Sequence, residues 1–213
     1  MTDLAQRTLT ALPLFILFTV LFWYTPPLVT SIVLAAALIY ILLVEWPRLL
    51  ARCSRYFWLI TPLYPVLPFV LLILLNQDNT MRIWLFTAML LVIGYDTGAY
   101  LIGSLIGTHK LAPTLSPGKT WEGCAGGYGA ACGVSLLINT YWSLPITYNV
   151  FFVTALICIA AQLGDLFESW LKRRAGVKDS GSLLPGHGGL LDRFDSLLFV
   201  SVLLYVGKYF LPG

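Results

Sequence analysis

The sequence predicts an all-α fold, a polytopic bundle of about seven transmembrane helices with a cytoplasmic N-terminus, and three observations carry that expectation. Hydrophobic residues fill 58% of the 213 positions and charged residues only 11%, against roughly 25% charged in an average soluble domain. Apolar stretches near the roughly 20 residues needed to cross a bilayer core recur along the chain. The basic residues concentrate on alternate connections between those stretches, the bias that orients membrane proteins.

Taken in order, the stretches run near 9–24, 28–44, 58–75, 83–106, 123–141, 148–164 and 197–211. The first resembles a signal peptide in length, yet it has one nearby basic residue and no clear small-residue cleavage site, so it is read as a retained helix. One side of the bundle receives Arg7, then Arg48, Arg52 and Arg55, then Lys110 and Lys119, then Lys172, Arg173, Arg174, Lys178 and Arg193. The other receives only Arg82 and Lys208, which completes the 13 basic residues. The N-terminus and both long polar connections are thereby expected in the cytoplasm. Residues 1–93 are expected to form N-terminal membrane helices, and 94–213 a catalytic membrane region with cytoplasmic loops at 107–122 and 165–195.

Small residues recur at helical spacing in two stretches, Ala99, Gly103 and Gly107 in one and Gly123, Gly127 and Ala131 in the next. Such stripes let helix backbones approach closely in lipid. The four cysteines, Cys53, Cys124, Cys132 and Cys158, have no C-x-x-C spacing, which argues against structural zinc or a disulfide framework. A net charge of +3, without a basic run of the kind that tracks a phosphate backbone, is too small to suggest a nucleic-acid partner.

Chemistry concentrates in three places. Asp96 lies in Gly94-Tyr95-Asp96-Thr97-Gly98, inside an apolar stretch where an ionised carboxylate costs about 2.5–3.5 kcal/mol on insertion scales. Either a metal, nucleotide or cation contact compensates it, or a structural hydrogen bond does. The segment Ser116-Pro117-Gly118-Lys119-Thr120-Trp121-Glu122 offers hydroxyls, a glycine and an ammonium just before a helix, a combination that suits phosphate oxygens. It is not a Walker loop, since the first glycine of that motif falls on Pro113, and a solvated juxtamembrane turn explains it equally well. Asp165, Glu168, Ser169 and Lys172 share one helical stripe, which reads equally as a solvated, ion-paired face.

From Ser169 to Asp195 the chain reads S-W-L-K-R-R-A-G-V-K-D-S-G-S-L-L-P-G-H-G-G-L-L-D-R-F-D. This segment closely resembles the signature of the phosphatidate cytidylyltransferases, also called CDP-diacylglycerol synthases. Ser169, Lys172, Arg173, Lys178, Asp179, Gly181, Leu184, Pro185, His187, Gly188, Gly189, Asp192, Arg193, Phe194 and Asp195 fall where that signature places them. The stretch from Asp96 to Tyr100, and the Lys110 to Pro113 and Ser116 to Gly123 segments, are also similar to this family. The likeness runs over roughly 94–196, and the chain resembles a short form, because many members have a longer N-terminal membrane region.

The resemblance implies a transferase that joins CTP to phosphatidate in the bilayer, yielding CDP-diacylglycerol and pyrophosphate for phospholipid synthesis. Such transfer relies on positioning and charge stabilisation. The motif residues balance seven basic against seven acidic groups, whereas the substrates add many negative charges, about 1.5 to 2 from a phosphate monoester alone. Divalent cations, with Mg²⁺ the usual choice, are therefore expected, and a second cation such as K⁺ and a homodimer are compatible with the resemblance. Asp165 and Asp192 are expected to converge on the metal, with Asp96, Asp179 and Asp195 as further ligands or supporting partners. Ser116, Lys119, Lys172, Arg173, Lys178 and Arg193 are expected to hold triphosphate or lipid headgroup, with Gly118, Thr120, Glu122, Gly188 and Gly189 shaping the nucleotide site. His187 is read as either positioning substrate or making a structural hydrogen bond. Two rival readings are transfer of CTP to another membrane lipid phosphate and an ion-coupled transporter. A catalytically silent scaffold is the third.

Overall fold

The computed structural model describes residues 16, 18–20, 22–142, 150–183 and 188–210. It is mostly helical. The described elements are α1 (Pro27–Tyr40), a π-helical turn (Ile41–Glu45), α2 (Trp46–Leu49), α3 (Arg55–Ile60), a second π-helical turn (Pro62–Val66), α4 (Leu67–Gln77), α5 (Asn79–Ile106), β1 (Lys110–Ala112), β2 (Ser116–Thr120), α6 (Trp121–Trp142), α7 (Val150–Arg174) and α8 (Leu191–Gly207).

Four helical runs among the described residues are long and apolar enough to cross a membrane: Pro27–Leu49, Arg55–Gln77, Asn79–Ile106 and Val150–Arg174. They cover the expected stretches 28–44, 58–75 and 83–106 and, of 148–164, residues 150–164, the first two lying outside the described residues. The stretch 123–141 lies within α6, and 197–211 begins within α8. Most of 9–24 falls outside the described residues.

The chain divides into two compact units, one of Met1–Asp78 with Leu171–Phe194 and one of Asn79–Trp170 with Asp195–Gly213. In the first, Pro27 opens α1, where a missing N–H costs nothing. Ser54 caps α3 by accepting the Tyr56 amide at 3.2 Å. Pro65 interrupts the second span, and Tyr64 beside it leaves helical geometry at φ −155°, the expected effect of a proline that lacks a donor and collides with the preceding turn. Trp46 is fully buried, its indole donating to Thr61 Oγ1 at 2.6 Å.

In the second unit the small-residue stripes serve helix packing. A Cβ on Gly123 would lie 2.8 Å from the Ala99 carbonyl oxygen, and one on Gly127 would lie 2.6 Å from that of Tyr95, so α5 and α6 approach at a separation that only glycine allows. The all-helical expectation needs one correction. Within 107–122, β1 and β2 pair antiparallel, with Lys110 opposite Thr120 and Ala112 opposite Ser116. The cause is local: Pro113 occupies the second position of a tight turn that the Leu115 amide closes on the Ala112 carbonyl at 3.2 Å. A further difference concerns 165–195, whose first ten residues continue α7 to Arg174 and whose last five open α8.

Candidate active site

In the second unit, α5, β2, α6 and α7 line a cavity of about 400 Å³, within the range of about 300–1,000 Å³ that small-molecule sites occupy. Its polar lining includes Asp96 from α5, Ser116 and Lys119 from β2, and Gln162 and Asp165 from α7. Lys119 forms an ion pair with Asp165. Ser169 supports the same carboxylate, donating to Asp165 Oδ1 at 3.3 Å, which is the i, i+4 contact expected on a helical face. The sequence brings these groups together through the hairpin: the Pro113 turn folds β2 back so that Ser116, Gly118 and Lys119 line the cavity.

Two residues expected at the nucleotide site have defined structural partners. Thr120 is buried, and its hydroxyl accepts the Gly123 amide at 3.1 Å, an N-cap for α6, while also lining the cavity. Glu122 braces the base of the hairpin. It accepts Thr108 Oγ1 at 2.7 Å and the His109 amide at 3.2 Å, and His109 Nδ1 lies 2.6 Å away. The hydrogen bonds from His109 and Thr108 lower its pKa to about 2.

Sequence reasoning did not single out Gln162, Tyr95 or Cys124 for this cavity. Gln162 Oε1 accepts the Tyr95 hydroxyl at 2.8 Å and the Cys124 thiol at 3.9 Å. A lone glutamine in an apolar helix, three residues before an acid, was the available signal.

The first unit holds the other part of the signature. Asp192 sits in the first turn of α8 with its side chain 7% exposed. Its Oδ1 accepts Lys172 Nζ at 2.6 Å. Its Oδ2 accepts the Gly189 amide at 2.7 Å, the Ser180 amide at 3.0 Å and the Ser180 hydroxyl at 3.0 Å. Burial pushes the Asp192 carboxyl up, but the Lys172 ammonium and the two amides outweigh it and hold the group below the ordinary range. Lys172 reaches this point from the end of α7. There Gly176, at φ +71°, completes a Schellman motif in which the Val177 amide bonds the Lys172 carbonyl at 3.0 Å and the Gly176 amide bonds that of Arg173 at 3.1 Å.

Glycine is required at two signature positions for contacts within the protein. Gly188 has φ +79°, and a Cβ there would meet Asp192 Oδ2 at 2.7 Å. A Cβ on Gly189 would meet Glu45 Oε1 at 2.7 Å. Glu45, which sequence reasoning passed over, is fully buried and accepts the Leu190 amide at 2.7 Å and the Leu191 amide at 2.8 Å. Its signal was a single acid at the end of an apolar run, one residue beyond the expected span.

Arg173, Lys178, Asp179 and Arg193 occupy exposed positions. Asp195, half-buried in the second unit, accepts the Ser196 amide at 2.6 Å. His187 lies outside the described residues. Among the described residues no group of three or more His, Cys, Asp or Glu side chains gathers in a way that holds a metal. Asp165 and Asp192 belong to different units, and each is charge-compensated by a lysine.

Comparison with known proteins bears on what these groups do. The chain is 46% identical over 131 residues to a phosphatidate cytidylyltransferase of Bacillus subtilis (strain 168), covering 61% of this chain and 49% of that protein. It is 49% identical over 111 residues to the enzyme of that name from Brucella suis biovar 1, covering 52% and 41%. With its counterpart from Staphylococcus epidermidis (strain ATCC 35984) the identity is 48% over 132 residues, covering 62% and 50%. The chain thus spans about half the length of the curated relatives it matches. The profile of the cytidylyltransferase family matches residues 11–210, nearly the whole sequence, and the chain therefore belongs to the cytidylyltransferase family.

Proposed function

We propose that this protein is a phosphatidate cytidylyltransferase, converting CTP and phosphatidate to CDP-diacylglycerol and pyrophosphate at the cytoplasmic face of a membrane. A phosphate oxygen of phosphatidate attacks the α-phosphorus of CTP. A new P–O bond forms, the bond to the β-phosphate oxygen breaks, and pyrophosphate leaves with that electron pair. Family membership and the names of the relatives support the reaction. The distribution of Lys and Arg supports seven spans with the N-terminus in the cytoplasm.

The observation that carries this reading is the composition of the second unit's cavity, where two aspartates, Asp96 and Asp165, stand against one lysine, Lys119. A polyphosphate entering there requires added positive charge. The donor set fits Mg²⁺, which binds hard oxygens and uses one or two carboxylates with substrate phosphates supplying further ligands. Lys119 already places a cationic group on Asp165. Asp165 and Asp96 are the carboxylates proposed to hold it, with Asp195, in the same unit, as a supporting partner. When bound, Mg²⁺ supplies charge neutralisation at the phosphate oxygens. Ser116 and Lys119 hold phosphate from β2, Asp165 orients Lys119, and Lys172, Arg173, Lys178 and Arg193 are the cations offered to triphosphate and lipid headgroup.

The test is pyrophosphate release by the purified full chain with CTP, phosphatidate and Mg²⁺, each omitted in turn. Asp165→Asn is expected to keep the melting temperature and lose at least about 100-fold in turnover, the scale of losing a transition-state charge contact. Near-normal turnover by Asp165→Asn, or equal product in excess chelator, overturns the metal assignment.

A further inference from the structure

Glu45 stands at the end of a run of apolar residues, Ile39 to Val44 broken only by Tyr40, and it is fully buried. A carboxyl group removed from water is tolerated only where polar partners replace that water. Both oxygens have them. Oε1 accepts the Leu190 amide at 2.7 Å, and Oε2 accepts the Leu191 amide at 2.8 Å and faces the Ser180 hydroxyl at 3.2 Å. These partners lie 135 to 146 positions further along the chain, in the signature segment and at the start of α8.

Two features fix the carboxylate from its own side. The π-helical turn Ile41–Glu45 carries one residue more per turn than an α-helix, which changes the direction in which Glu45 projects. Trp46, the next residue, is fully buried and bonded to Thr61. On the other side, a Cβ on Gly181 or on Gly189 would lie 2.7 Å from Glu45 Oε1. The signature backbone thus lies against this carboxylate at a distance that glycine permits and alanine does not.

The partners of Glu45 are the supports of Asp192. Ser180 gives Asp192 its amide and its hydroxyl, and Gly189, adjacent to Leu190, gives its amide. The Ser180 hydroxyl lies between the two carboxylates, 3.0 Å from Asp192 and 3.2 Å from Glu45, and has one proton to donate. We infer that Glu45 is a positioning residue for the transfer reaction: it clamps Ser180, Leu190 and Leu191 so that the donors around Asp192, and through Asp192 the Lys172 ammonium, keep a fixed arrangement. This rests on the reaction proposed above.

Glu45→Gln tests it with little change in volume. The amide keeps one acceptor oxygen and turns a donor toward a partner that itself donates. Its kcat is expected to fall about 10- to 100-fold, the usual effect of removing the partner that orients a functional carboxylate, with KM for CTP changed less than the rate. Hydrogen exchange at the Leu190 and Leu191 amides is expected to accelerate while the global melting temperature stays within a few degrees of wild type. In a double-mutant cycle, Glu45→Gln and Ser180→Ala are expected to be non-additive, the pair costing less than the product of the single losses, because both act on Asp192. Glu45→Ala, which takes the acceptor from the Leu190 and Leu191 amides, is expected to cost stability as well. Wild-type kcat in Glu45→Gln, unchanged exchange at the two amides, or losses that simply multiply would each overturn the inference. A wild-type protein that releases no pyrophosphate would sink the proposed reaction; the exchange measurement would then decide the clamp by itself, accelerated exchange supporting it and retained protection overturning it.

Discussion

Two aspartate–lysine pairs, one in each compact unit, show how the same two residue types are put to different uses. Asp192 and Lys172 are 7% and 13% exposed, and every oxygen of Asp192 is engaged by the protein. Asp165 and Lys119 are 29% and 22% exposed and line an open cavity. The first pair is assembled before any ligand arrives, because burial leaves no water to satisfy its groups. In the second, among the described residues, the Ser169 hydroxyl and the lysine meet the carboxylate, so a phosphate or cation entering the cavity competes with one ion pair. The difference is one of solvation: the buried pair is fixed by the protein around it, and the partly exposed pair stays open to exchange.

The contrast is broken most directly by removing each carboxylate and measuring thermal unfolding. Asp192→Ala removes the carboxylate that the Lys172 ammonium and two buried amides are bonded to, and a loss of roughly 3–5 kcal/mol is expected. Asp165→Ala breaks a partly solvated pair, and the expected loss is only about 0–1 kcal/mol. Comparable losses would show that the two sites are equally structural.

Glycines sharpen the comparison at a smaller scale. Gly188→Ala forces a side chain onto a backbone at φ +79° and against Asp192 Oδ2, and about 1–3 kcal/mol is expected. Gly118→Ala meets nothing within 4 Å at an exposed strand position, so stability is expected to stay within about 0.5 kcal/mol. Any larger fall in activity in that variant would then report on ligand contact.

The smallest expected effect is a pH dependence at the hairpin. The folded state holds the Glu122 pKa near 2, below its ordinary 4.5. A depressed carboxyl pKa contributes stability that is fully present above the ordinary value and lost as pH falls toward the folded one. Acid melting curves of wild type are therefore expected to fall between about pH 4.5 and pH 2, and Glu122→Gln is expected to flatten that limb. Parallel curves would remove Glu122 from the bracing of β1 and β2.

Much of the site was legible as spacing. Asp165 and Ser169 were expected on one helical face and do bond there, and the glycine stripes of α5 and α6 pack as small-residue stripes do. The hairpin was not, because its strands are only three and five residues long and one of them includes Pro117, so neither shows the alternation that identifies a strand. Glu122 was grouped with the nucleotide site because it follows Lys119 and Thr120 closely. Its side chain turns back to Thr108 and His109, a contact that no periodicity reveals.

By itself the sequence determined that apolar helices dominate, which segments carry charge, and which family the chain belongs to, since these follow from composition, local periodicity and motif spacing. Only the tertiary structure decided that Glu45 meets Ser180, Leu190 and Leu191, that Lys119 meets Asp165, and that Gly189 makes room for a carboxylate. Each of these joins residues dozens to more than a hundred positions apart. Local spacing carries no information about such pairs, because they exist only where packing and the satisfaction of buried polar groups bring distant segments together.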